Sequence, residues 1–139
     1  MKLTRAADYG IRALVYLAGQ PPDKVCLISD ISASQNIPEK FLAKIMQILT
    51  KGGIVKSFRG VKGGFSLARA PKDINLRQIV ECLEEKIALN VCLISHKACD
   101  RSCECPVHPV WVEAQTRLVE VLESADLKSI AEREKKQPN

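Results

Sequence analysis

Apolar residues recur at helical spacing near the start of the chain, at Leu3, Ala6, Ala7, Ile11, Leu14, Val15 and Ala18, which predicts a helix from Leu3 to Gly19. Thr4 is placed to cap it, and Gln20-Pro21-Pro22-Asp23 ends it. Asp8 and Arg12 lie four apart, the spacing of a surface ion pair. Two further helical segments follow between Leu27 and Leu49. The first runs from Ile28 to Ser34 with Ile28 and Ile31 inward; Gln35-Asn36-Ile37 makes the turn, with Asn36 suited to a left-handed conformation. Pro38 opens the second, whose expected buried stripe is Phe41, Leu42, Ile45, Ile48 and Leu49. Lys51-Gly52-Gly53 closes it. Short helices joined this way predict a helix-turn-helix.

The period then changes. Ile54 to Phe58 and Phe65 to Ala68 are strand-like, and Arg59-Gly60-Val61-Lys62-Gly63-Gly64 between them supplies the glycines of a tight turn with two cations at its tip. A hairpin directly after a helix-turn-helix is a wing. Ala70-Pro71-Lys72-Asp73 is a turn, and Leu76 to Glu85 returns to helical spacing. Cys92 to His108 has neither period and reads as a loop. Pro109 to Ser124 predicts a long helix with Trp111, Ala114, Leu118, Val121, Leu122 and Ala125 on one stripe. Asp126 caps a last short helix over Leu127, Ile130 and Ala131, and the tail from Glu132 is polar and expected to fray.

Charge separates the two halves. Residues 1–75 carry 12 lysines and arginines against 5 acids, and residues 76–139 carry 9 against 11, within a net charge of +5. A basic front and acidic rear point to a polyanion at the front. The exposed face of the second helix of the pair, with Glu39, Lys40, Ala43, Lys44 and Gln47, can reach base edges or phosphates in a major groove. Arg59 and Lys62 at the wing tip can reach phosphates or a minor groove. The glycines there fit neither a P-loop nor a dinucleotide fingerprint, and no helix follows them. At 139 residues the chain fits one domain, or a small domain with an appended element. It opens on no signal-peptide pattern and holds no apolar run near the about 20 residues of a membrane span, so a cytoplasmic protein is expected.

A reducing compartment turns attention to the cysteines. Four of the six, and both histidines, lie between Cys92 and His108. Such a loop holds a metal or cluster, a redox-active thiol set, or a disulfide staple. Cys99-x3-Cys103 followed by Cys105-x2-His108 has zinc spacing. Lys97 and Arg101 would favour thiolates, and His96 reads as a surface residue. Cys26 and Cys82 read as core. No thioredoxin-like context and no base–nucleophile constellation is present, so no enzyme is expected.

The ensemble resembles the winged-helix regulators that include the iron–sulfur regulator IscR and the nitric-oxide-sensing repressor NsrR. The carriers are Met1-Lys2-Leu3-Thr4 with Asp8-Tyr9-Gly10-Ile11-Arg12-Ala13-Leu14, then Ile28-Ser29-Asp30-Ile31-Ser32, Phe41-Leu42, and Arg59-Gly60 followed by Gly63-Gly64-Phe65-Ser66-Leu67. The resemblance covers nearly the whole chain. It implies a homodimer with crossed C-terminal helices, reading heads in the major groove and wings in the minor groove. It matches Lys40, Ala43 and Lys44 to the base-reading face and Arg59 to the minor-groove arginine. It also implies a cluster held by Cys92, Cys99 and Cys105. His108 matches the fourth ligand of the [2Fe–2S] branch, and Asp8 that of the [4Fe–4S] branch, where it comes from the other subunit. The spacing from Cys92 to Cys99 is one residue longer than usual, and Cys103 is an additional thiol.

The fold expected is mainly α with a small β-hairpin wing. Residues 1–75 form a winged-helix DNA-binding domain, and 76–139 a cluster-binding loop and a long dimerisation helix. The expected function is a DNA-binding transcription regulator, a repressor, whose operator affinity follows an iron–sulfur cluster. The alternative is a zinc-stabilised or metal-free thiol-switch regulator. Expected ligands are Cys92, Cys99, Cys105 and His108, with Asp8 and Cys103 as alternatives. Expected DNA contacts are Lys40, Lys44, Gln47, Arg59 and Lys62. A [2Fe–2S] cluster ranks above [4Fe–4S], and zinc is the rival cofactor. Double-stranded DNA and a second copy are the partners, with no membrane.

Overall fold

The computed structural model describes residues 2–84, 87–89, 93 and 104–136. Among them are six α-helices, one 3-10 turn and one two-stranded hairpin. Helix α1 (Arg5–Ala18) begins where expected, because the Thr4 hydroxyl accepts from the Ala7 N–H at 3.3 Å. Helices α2 (Ile28–Gln35) and α3 (Glu39–Lys51) are joined through Asn36, which takes the left-handed conformation at φ 53°, ψ 51°. An asparagine tolerates this better than most residues, so the turn can be tight. Antiparallel strands β1 (Val55–Phe58) and β2 (Gly64–Leu67) pair Val55 with Leu67 and Phe58 with Gly64. A 3-10 turn (Pro71–Asp73) leads to α4 (Leu76–Leu83), which opens on a reciprocal capping box between Asn75 and Gln78. The chain closes with α5 (His108–Ser124) and α6 (Leu127–Lys136).

One core serves the reading head and both ends of the chain. Leu14 of α1, Ile31 of α2, Leu42, Ile45, Met46 and Leu49 of α3, and Ile79 of α4 are buried together. Leu127 of α6 is buried in the same cluster. Burying each such side chain is worth about 1.5–3 kcal/mol. Two backbone hydrogen bonds fix the return of α6: Leu76 N–H donates to the Ala125 carbonyl and Leu127 N–H to the Ile74 carbonyl, each at 2.9 Å.

The stripe of α3 differs from the expectation. Phe41 and Ile48 are each 42% exposed, and Met46 is fully buried. The inward face is the row 42, 45, 46, 49, centred one residue away from the row that Phe41 and Ile48 would define. Cys26 is core as expected, but Cys82 is only half-buried, against α3. The end of the chain is more ordered than expected, since α6 stays helical to Lys136 with Arg133, Lys135 and Lys136 in its last turn, where cations suit the helix dipole.

Candidate functional site

Exposed on α3 are Lys40, Lys44, Gln47 and Lys51. Their steps of four, three and four residues put them on one stripe, opposite the buried row. Ala43 beside them is half-buried and offers only a methyl group. Lys51 was missed as a member of this row, because a cation before a glycine reads first as helix termination; its spacing from Gln47 carries the signal.

The wing presents the second basic element. Arg59, Val61 and Lys62 are exposed at its tip, and Gly60 there adopts φ +103°, which a residue with a side chain rarely takes. The base of the wing is bolted down. Cys26 and Phe65 exchange two backbone hydrogen bonds of 2.8 Å, and a side chain at Gly64 would collide with the Cys26 carbonyl. The segment before α2 thus fixes where the hairpin stands relative to α3. Burial pushes the pKa of the Cys26 thiol up, and that of half-buried Cys82 likewise, so both stay protonated thiols at neutral pH.

Arg12 joins α1 to this head. Its guanidinium donates to the Gln35 carbonyl at the end of α2, lies 3.6 Å from Asp8, and sits 5.5 Å from the centre of the Tyr9 ring. Tyr9 in turn meets Phe41 edge to face, with centroids 5.6 Å apart. A cation on the last carbonyls of α2 satisfies an acceptor the helix cannot, and this holds the turn into α3. The partial exposure of Phe41 has its reason here, since the ring packs on Tyr9 rather than in the core.

Of the expected ligands, Cys92, Cys99 and Cys103 lie outside the described residues, as does His96. Cys105 and His108 are placed next to each other. Cys105 is a free, half-buried thiol, and its carbonyl accepts from the His108 N–H at 3.1 Å. His108 is the first residue of α5, whose start has no side-chain cap. Its Nδ1 is buried and has no hydrogen-bond partner among the described residues. A buried imidazole nitrogen without a partner is costly unless something else uses it. Asp8 is different: its side chain is 64% exposed and engaged with Arg12. Among the described residues no three His, Cys, Asp or Glu side chains converge on one metal position, and no helix is long and apolar enough to cross a membrane.

The described segments on either side of the loop are tied to the rest of the fold. Before the loop, the Glu84 carboxylate accepts from the Thr4 backbone N–H at 2.8 Å and from its hydroxyl at 2.5 Å, which ties α4 to the first turn of α1. Beyond it, Gln115 of α5 accepts from the Leu89 N–H at 3.0 Å, and Arg77 of α4 bridges Glu81 and Glu123.

Comparison with known proteins agrees with this geometry. The family model Rrf2, described as an iron-dependent transcriptional regulator, matches residues 3–133. The HTH-type transcriptional regulator NsrR of Halalkalibacterium halodurans is 35% identical over 132 residues, 94% of this chain and 90% of that protein. The solved structure of T. potens IscR is similar with a TM-score of 0.77 at 27% identity, covering 100% of this chain and 93% of the other. CymR, the global cysteine regulator of B. subtilis, is similar with a TM-score of 0.78 at 26% identity, over 96% and 98% of the two chains.

Proposed function

The chain belongs to the Rrf2 family of winged-helix transcriptional regulators, and from that premise we propose that it represses transcription as a cytoplasmic homodimer whose DNA affinity is set by an iron–sulfur cluster. The reading head spans residues 1–75, and residues 76–139 carry the ligand loop and the dimer helix. Lys40, Lys44 and Gln47, with Lys51, face the major groove, and Arg59 and Lys62 face the minor groove and its phosphates. Cys92, Cys99, Cys105 and His108 hold a [2Fe–2S] cluster. The observation that carries this ligand set is the buried Nδ1 of His108 beside the Cys105 turn, which has no hydrogen-bond partner among the described residues. Thiolate and imidazole donors suit such a cluster, and the uncapped start of α5 favours its negative charge. The relatives named NsrR and IscR support the same choice. Asp8 keeps its ion pair with Arg12 in this reading.

A cluster bound there supplies an iron centre that changes state with redox conditions or nitric oxide. The protein's own residues carry the consequence. Glu84, at the end of α4, holds Thr4 at the start of α1. Further along α1, Tyr9 supports Phe41 at the start of α3 and Arg12 holds the end of α2. Ordering the loop therefore biases the position of the reading helix, as a population shift between competent and incompetent dimers.

The experiment is anaerobic visible spectroscopy with iron and sulfide counting on the wild type, Asp8→Ala, Cys103→Ala and His108→Ala, together with binding of promoter DNA by holo and apo protein at fixed salt. Brown wild-type protein, a changed spectrum in His108→Ala alone, and unequal holo and apo affinities are expected. Colourless protein with stoichiometric zinc would overturn the cluster, and a changed spectrum in Asp8→Ala alone would move the fourth ligand. Equal affinities would remove the switch and leave DNA binding intact.

A further inference from the structure

A cavity of about 500 Å³ opens between the end of α1 and the base of the wing, and no residue of the reading stripe lines it. Its walls mix apolar and polar surface in nearly equal measure; on the apolar part Leu17 and Ala18 close α1, Pro21 and Pro22 form one side, and Phe58 with Leu67 form the wing side. The prolines fix their own φ, and Lys24 N–H closes the turn onto the Pro21 carbonyl at 3.1 Å, so this wall is formed before anything binds. The size falls in the range of small-molecule sites, and the mixed lining suits a guest with both an apolar and a charged part.

The polar part of the lining is lopsided. Lys24, Lys56 and Arg69 border the cavity against one acid, Asp23. Among the described residues, none of the three cations takes part in an ion pair; the Lys24 ammonium donates only to the Gln20 amide oxygen, at 3.3 Å. Ser66, buried to 7% exposure, also lines the cavity and is paired across the hairpin with Lys56. A buried hydroxyl on the floor, unneutralised cations at the rim and a preformed apolar wall ask for one kind of guest.

We propose that this cavity is a binding site for a small organic anion, a carboxylate or sulfonate carried on an apolar body. The apolar part lies against Phe58, Leu67 and the prolines, and the anionic group meets Lys56 and Arg69. Both strands of the wing line the site, so a bound guest braces the hairpin that carries Arg59 and Lys62 against α1. That consequence rests on reading the hairpin as a DNA contact; the site itself does not.

Titration of naphthoate into the full chain, followed by amide NMR without DNA, tests it. Saturable shifts are expected at Lys24, Lys56, Ser66 and Arg69, with binding weakened about tenfold or more both for the uncharged naphthamide and in the double variant Lys56→Glu/Arg69→Glu. Equal shifts from naphthamide, shifts confined to α5, or no saturable shift up to about 10 mM each overturn the site. A double variant that loses DNA affinity while naphthoate leaves those amides unmoved assigns the cations to DNA phosphates and overturns it too. With no DNA in the titration, failure here leaves the DNA-reading proposal standing.

Discussion

Helices α3 and α5 invite comparison. Both follow helical spacing with apolar and charged residues interleaved, and both are long for this chain, at 13 and 17 residues. Yet α3 buries Leu42, Ile45, Met46 and Leu49, while no residue of α5 is buried. Val110, Trp111 and Val121 stand exposed on α5, Val121 to 64%. The inner side of α5 is only half-covered, by the contacts that Arg77 and Leu89 make to Glu123 and Gln115. An amphipathic pattern states that a face wants cover; it does not state which chain supplies it. For α3 the cover is α1, α2 and α4 of the same chain. For α5 the row Trp111, Ala114, Leu118, Val121 and Ala125 alternates steps of three and four, the spacing of a helix seam with a twin. This is what supports a second copy on that face.

The comparison can be broken most forcefully at its buried end. Leu42→Ala should cost about 2–5 kcal/mol of unfolding free energy, read by chemical denaturation, because it empties a fully enclosed site. Val121→Ala should change the stability of the folded chain far less. If the two cost the same, α5 is cored within its own chain. Next comes Val121→Asp, which places a charge on the proposed seam. It should raise the dimer dissociation constant by about a hundredfold or more, measured by sedimentation, with helicity retained. A dimer of unchanged affinity would move the interface elsewhere.

The sequence spoke clearly for the reading head because its signals are local. Thr4 and Asp126 start helices through their own side chains, Asn36 ends one through its left-handed backbone, and the glycines between Arg59 and Phe65 allow a tight turn. The row at 42, 45 and 49 was legible, whereas Met46 was not, because Phe41 and Ile48 are the more apolar competitors for the neighbouring rows. What settles that competition is non-local: Tyr9 offers Phe41 a ring edge, and Arg12 occupies the carbonyl of Gln35. The Glu84–Thr4 tie, between residues 80 apart in sequence, was invisible for the same reason. In the ligand loop the donor types were legible and the coordination was not. Cysteine and histidine spacing fits a cluster or zinc, and among the described residues His108, through its buried nitrogen, carries the structural signal that favours one position over another.

At the wing the expected effect is smaller than at the core. Arg59→Ala should weaken binding by about 1–3 kcal/mol, measured by fluorescence anisotropy, and most for sites with a narrow A·T-rich minor groove. A uniform loss over all sequences would make Arg59 a phosphate clamp. The folded wing should be unaffected, since Arg59 is exposed and the hairpin is held at Cys26.

The smallest effect lies where α5 gives way to α6. Asp126 accepts from the Ser129 N–H at 2.9 Å and from its hydroxyl at 3.1 Å, and the backbone bond above all holds its carboxyl below the usual carboxylate range. The cap is strongest when the carboxyl is ionised, and its lowered pKa means that the folded state releases this proton more readily than the unfolded chain. Its contribution is therefore complete above the ordinary carboxylate pKa and fades as pH falls through the lowered value. Asp126→Ala should cost about 1 kcal/mol at neutral pH. The gap between variant and wild type should close on acidification, and Asp126→Asn, which still caps, should recover much of the loss without the pH dependence. Because Leu127 seats α6 in the same core as α3, unfolding followed at α6 should coincide with unfolding followed at α3. If instead α6 melts first and takes only α5 with it, the end of the chain belongs energetically with α5 rather than with the reading head.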